Sequence, residues 1–186
     1  YFIKYAGTDV NSKQQNGPMN GGLVIFAAAN NNSDVKEWPA AYSKVLTVAA
    51  MSHNFKKSSY SNFGDWIDIT APGGEQSYGD NYTVLSTSIN GQYAWLQGTS
   101  MACPHVSGCA ALVLSKFQGE GYTPDELWER LINSTHSLDV YNQKFKGMMG
   151  VGYIDVGLAL TPPSALAPDT SHLVLVDAYD DWAIVE

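Results

Sequence analysis

Two apolar runs constrain this chain most: the continuous Leu23-Val24-Ile25-Phe26-Ala27-Ala28-Ala29, and Val45-Leu46-Thr47-Val48-Ala49-Ala50, interrupted only by Thr47. A strand with one wet face alternates apolar and polar residues. A run that is apolar throughout reads as a strand covered on both faces, the pattern of a parallel sheet between helices. A third short run, Trp66-Ile67-Asp68-Ile69-Thr70, is closed by Ala71-Pro72-Gly73-Gly74. Two further candidates, Thr83 to Thr87 and Gln92 to Leu96, flank Asn90-Gly91, a dipeptide suited to a tight hairpin turn. Tyr1 to Ala6 reads as a helix end stopped by Gly7. Thr123-Pro124-Asp125-Glu126 reads as a capping box that opens a helix whose apolar face is Leu127, Trp128, Leu131 and Ile132. Tyr153 to Leu160 closes the unit. Strands alternating with helices predict an α/β fold in three layers with a mainly parallel sheet.

Lys and Arg total 10 against 18 Asp and Glu, a net charge of −8 that argues against nucleic acid or an anionic membrane surface as partner. No apolar run approaches the ~20 residues that span a bilayer. Composition changes at Thr161-Pro162-Pro163-Ser164. Residues 1–160 are expected to form one unit and 161–170 a linker. His172 to Ala178 and Trp182 to Glu186 then read as the first two strands of a β-rich module resembling fibronectin type III. The chain reads as a fragment that opens inside a helix and stops inside a strand. Cys103 and Cys109 stand six residues apart. On one helix that is roughly 9 Å along the axis, beyond the ~7 Å between Cα atoms that a disulfide tolerates. Both are expected as small buried thiols.

The chemistry concentrates in Gly98-Thr99-Ser100-Met101-Ala102-Cys103-Pro104-His105-Val106-Ser107-Gly108, directly before the apolar stretch Ala110 to Phe117. A serine at the mouth of a helix meets unpaired N–H groups and the positive end of the helix dipole. Such a place suits an attacking hydroxyl and the oxyanion it creates. Pro104 leaves the Ser100 carbonyl without its helical partner and predicts a kink or a loosened first turn.

This run resembles the serine motif of the subtilases, the subtilisin-like serine proteases. Phe26-Ala27-Ala28-Ala29-Asn30-Asn31 resembles the strand that ends Ala-Ala-Gly-Asn in that family, with Ala29 where glycine is usual. Ala71-Pro72-Gly73 is a third family block. The resemblance implies a subtilisin-like fold and a serine endopeptidase acting on protein or peptide substrates. Ser100 would be the nucleophile, and an asparagine side chain the oxyanion donor. Two registers are open for that donor. Counting back from Trp38-Pro39-Ala40-Ala41-Tyr42 favours Asn30; counting from Gly22 favours Asn31, with Asn30 in the glycine position. Asn30 is preferred. Thr99 is expected to support the oxyanion through its hydroxyl, and Met101 to pack beside Ser100. His105 takes a structural role by resemblance. Glu37 falls near the segment that floors the primary specificity pocket in relatives, either there or as a solvated loop carboxylate.

Hydroxyl nucleophiles need a base, and the base an orienting carboxylate. In subtilases both precede the serine in the chain. His53 is the only histidine before Ser100 and lacks the Gly-Thr-His setting; no aspartate shows Asp-Ser/Thr-Gly. The base and its carboxylate are therefore expected from an upstream half of the same domain, and the fragment alone is expected to be inactive. No metal or cofactor is assigned. By family resemblance the protein is expected to be secreted or extracytoplasmic. The alternatives are a binding module on the same fold and an esterase of the α/β-hydrolase type. The latter places its Asp and His after the serine, and glycine where Ala102 stands.

Overall fold

The computed structural model describes residues 1–9 and 11–162; the expected linker beyond Pro162 and the two expected strands after it lie outside the described residues. In chain order the elements are α1 (Phe2–Tyr5), β1 (Val24–Ala27), β2 (Val45–Met51), β3 (Ile69–Pro72), β4 (Val84–Thr87), β5 (Tyr93–Leu96), α2 (Thr99–Phe117), α3 (Pro124–Ile132), β6 (Thr135–His136), β7 (Tyr153–Ile154) and α4 (Val156–Leu160). The main sheet runs β1-β2-β3-β7-β6. The first four pair in parallel, and β6 joins β7 antiparallel.

β2 is an inner strand between β1 and β3, and all seven of its residues are buried. Leu46, Val48 and Ala50 share one apolar cluster with Ile69, Ala71 and the inner face of α2: Ala102, Val106, Cys109 and Val113. Ala49 and Met51 face the opposite cluster with Ala28, Trp66, Ile67, Leu138 and Met149. The period-two split across one strand is what a sheet covered on both faces requires. Each large aliphatic buried this way contributes about 1.5–3 kcal/mol.

β1 departs from the expectation of full cover. Its residues are only half-buried and Phe26 is 42% exposed. It is an edge strand here, paired on one side by β2 alone among the described residues. The third strand is shifted: Trp66 to Asp68 lie outside it, while Ala71 and Pro72 lie within. Trp66 and Ile67 are buried without a ladder; the Trp66 indole donates to the Asp34 carbonyl at 3.1 Å and the Asp68 carboxylate accepts the Thr47 N–H at 2.7 Å. Proline can join the strand at its end because the next N–H, from Gly73, supplies the bond to the Met51 carbonyl.

The hairpin β4–β5 turns at Asn90 and Gly91, both in the left-handed region. α3 opens on the expected capping box: Thr123 Oγ1 accepts the Glu126 N–H at 3.3 Å, and Glu126 Oε2 accepts the Thr123 N–H at 2.7 Å. α2 continues as a helix through Pro104, and in its first turn the Met101 N–H bonds the Gly98 carbonyl three residues back. Cys103 and Cys109 are both free. Cys109 is buried and Cys103 half-buried.

Candidate active site

Two chain segments, 69 residues apart in sequence, meet at the start of α2. Thr99 is fully buried there. Its backbone N–H and its hydroxyl both donate to Oδ1 of Asn30, each at 2.9 Å. The Thr99 hydroxyl therefore orients the Asn30 amide. With two donors on its oxygen, the amide presents its nitrogen elsewhere. A Cβ built on Gly98 would stand 3.6 Å from that nitrogen and 3.6 Å from the Ser100 backbone nitrogen, so the three groups adjoin.

Ser100 is exposed as the second residue of α2. The Met101 and Ala102 N–H groups turn back to the Gly98 carbonyl at 2.9 and 3.2 Å. The Ser100 N–H and hydroxyl make no hydrogen bond among the described residues, so both are free for a ligand. Met101 is half-buried beside it.

The turn before Ser100 is held from below. Gly98 has φ +146°, which side chains other than hydrogen rarely adopt. Its N–H is shared between the Gly73 carbonyl (3.0 Å) and the Tyr60 hydroxyl (2.9 Å). The Tyr60 hydroxyl in turn reaches the Gly73 and Gly74 carbonyls, both at 2.8 Å. Burial pushes the Tyr60 phenol above its ordinary range, which keeps it a donor. Gly73 admits no side chain, since a Cβ there would fall 2.5 Å from the Ala50 Cβ.

The loop after β1 separates the two asparagines. Asn30 reaches Thr99, whereas Asn31 Nδ2 donates to Glu37 Oε1 at 3.1 Å. Ala29 is left-handed, with φ +77°, as is Asn32 at φ +49°. The loop is tied to residues 60–63: Asn32 N–H donates to the Tyr60 carbonyl at 2.8 Å and Phe63 N–H to the Ser33 carbonyl at 3.1 Å. Lys57 Nζ adds bonds to Asn32 Oδ1 (2.7 Å) and the Ser61 carbonyl (2.8 Å).

The described histidines are engaged away from Ser100. His53 packs against Tyr82 and Tyr78, with ring centroids 4.3 and 5.1 Å away. His105 Nδ1 lies 2.8 Å from the Met101 carbonyl on its own helix. His136 Nε2 pairs with Asp155 at 2.8 Å. His172 lies outside the described residues. Among the described residues no group of three or more His, Cys, Asp or Glu side chains is placed to hold a metal ion. No described helix is long and apolar enough to cross a membrane. Tyr60, Asn62 and Lys57 had no signal in the sequence. They sit in an unremarkable polar stretch, and only the fold brings them under the site.

Residues 4–152 match the Subtilase family. The major intracellular serine protease of Bacillus subtilis is 36% identical over 171 residues, covering 86% of this chain and 48% of that protein. The extracellular basic protease of Dichelobacter nodosus is 35% identical over 150 residues, covering 75% of this chain and 23% of that protein. A solved protease of Pseudoalteromonas arctica PAMC 21717 superposes with a TM-score of 0.67 at 36% identity, over 76% of this chain and 42% of that one. The chain thus spans about a quarter to a half of the length of these relatives. With the family match running through most of the chain and relatives at 35 and 36% identity, the chain belongs to the subtilase family.

Proposed function

We propose that this chain is the nucleophile-bearing part of a serine endopeptidase that cleaves protein or peptide substrates. The observation that carries the reading is the pairing of Asn30 with Thr99, which brings an amide donor beside the exposed Ser100 at a helix N-terminus. A base removes the proton from Ser100 Oγ as that oxygen attacks the peptide carbonyl carbon. The carbonyl oxygen becomes an oxyanion between the Asn30 NH₂ and the Ser100 N–H. Collapse expels the amine, which takes the proton from the base, and leaves an ester on Ser100. Water, activated by the same base, hydrolyses the ester and frees the acid. Low-mobility N–H dipoles aimed at a developing charge supply the stabilisation.

The base and its carboxylate are proposed to come from residues preceding Tyr1 in the same domain. The engagement of His53, His105 and His136 elsewhere supports this. An extracytoplasmic location is proposed as well, supported by relatives such as the extracellular protease of D. nodosus; the intracellular B. subtilis relative is the counter-case, and cell fractionation decides between them. The test of the activity is labelling of the complete protease by a fluorophosphonate probe. Label should appear on Ser100 and vanish in Ser100→Ala. Label that survives the substitution refutes the assignment.

A further inference from the structure

Asn62 is fully buried and grips the chain on both sides of Asn30. Its own N–H donates to the carbonyl of Ala29, the residue before, at 3.1 Å. Its Oδ1 accepts the N–H of Asn31, the residue after, at 2.8 Å, and that of Ser33 at 3.3 Å. Two backbone donors converge on one side-chain atom, so that atom is the amide oxygen and the orientation is fixed. The Nδ2 of the same amide is buried without a partner. An apolar side chain of equal size would avoid that desolvation. The amide is therefore retained for what its oxygen does.

What the oxygen does follows from Ala29. An L-residue at φ +77° is strained and relaxes if its neighbours let go. The bonds from Asn62 bracket that strained residue and the one after it. Released, Ala29 can rotate toward negative φ and swing the Asn30 amide off its line.

We propose that Asn62 is a positioning residue that sets the aim of the Asn30 amide at the oxyanion. This rests on the reading of Asn30 as oxyanion donor. The test uses the complete protease, with kcat and KM on a peptide substrate counted per fluorophosphonate-titrated site. Asn62→Leu removes the acceptor while keeping the branched side-chain shape; Asn62→Asp keeps one. The first should lower kcat by about tenfold or more, short of the 10²–10³ for loss of an oxyanion donor, with KM within about twofold. The second should stay within about threefold of the parent in kcat.

The decisive arm repeats Asn62→Leu in an Asn30→Ala background. Groups that act through one another are not additive. With the amide gone, Asn62→Leu should cost less than about twofold further. An equal loss in both backgrounds, or no loss in either, overturns the proposal, as does an Asn62→Asp loss as large as that of Asn62→Leu. Asn30→Ala alone tests the underlying reading: an unchanged kcat there overturns the donor assignment, and the positioning role with it. If Asn62→Leu does not fold, Asn62→Ser carries the same comparison, since its hydroxyl is too short to reach both N–H groups.

Discussion

Ala29 is the position where a substitution should invert the usual rule. In ordinary backbone, replacing alanine by glycine destabilises, by about 0.5–1 kcal/mol within a helix or strand. At φ +77° the order should reverse. The left-handed conformation costs an L-residue about 1–2 kcal/mol relative to glycine. Against that stand the extra freedom of glycine in the unfolded chain, about 0.4–1 kcal/mol, and the loss of a half-buried methyl, about 0.4 kcal/mol. The balance for Ala29→Gly is a gain of about 0.5 kcal/mol. Ala29→Val should move the other way, by about 1–2 kcal/mol, because a β-branched residue tolerates positive φ worse than alanine. Urea unfolding of the complete domain, with Ser100→Ala throughout to prevent self-digestion, ranks the three. The expected order is Gly, Ala, Val from most to least stable, with Gly raising the midpoint by about 0.2–0.5 M. A loss of about 0.5–1 kcal/mol on Ala29→Gly, as at ordinary negative φ, would refute the reasoning and the loop conformation with it.

Asn30→Ala should cut kcat by about 10²–10³ with KM little changed, whereas Asn31→Ala, which loses only a bond to Glu37, should stay within about threefold; steady-state kinetics on one peptide separate them. Cys109 is pushed up to about 11, first by burial and then by nearby Asp155. At pH 8 its thiolate is therefore about one part in 10³, and iodoacetamide should modify it only after unfolding, as peptide mapping would show. Asp155 caps α4 through the Leu158 N–H at 2.9 Å. Burial pushes its carboxyl up, but that N–H and His136 outweigh it and hold the carboxyl below its ordinary 3.8. Its folded pKa is thus depressed, so its stabilisation is present above about pH 4 and lost as pH falls through the folded value. Asp155→Ala should cost about 1 kcal/mol at pH 7, mainly the cap, and less at pH 3; urea titrations at the two pH values check this.

Much of the fold was legible because its core strands and helices announce themselves locally. β2 is apolar at nearly every position, and the capping box at Thr123 is a four-residue signal. The misses have local causes too. β6 and β7 are two residues each, too short for any period to register. Trp66 and Ile67 looked like strand because they are apolar, yet their burial comes from packing and from the indole bond to Asp34. β1 looked doubly covered, but cover depends on what lies beyond its free edge. At the site, the serine helix was legible as a motif. Asn30 and Asn31 are chemically identical, so in sequence only counting from the flanking Gly22 or Trp38-Pro39 separates them, and the two counts disagree. The conformation of Ala29 and a bond to Thr99 from 69 residues away separate them in space. Asn62 and Tyr60 were silent for the same reason, since their partners lie in other segments.

The groups gathered around Ser100 share one property: they are neutral dipoles. The Asn30 amide and the Ser100 N–H would stabilise an anion only through direction, because no net charge stands behind them. A misaimed dipole loses most of its effect, whereas a misaimed charge loses less. This accounts for how much buried structure surrounds two donors. Thr99 uses two bonds to orient one amide oxygen, Tyr60 and Gly73 pin the turn at Gly98, and the Asn62 amide leaves its nitrogen unpaired while its oxygen holds Asn31 and Ser33. Proton transfer makes the opposite demand. It needs a titratable group that reaches the serine and moves with the reaction, and the described histidines are each held elsewhere. The aimed dipoles and the proton carrier are thus separable parts of one chemistry. A chain that carries the first and draws the second from outside itself is, on the proposed reading, rigid where direction matters and silent in proton transfer.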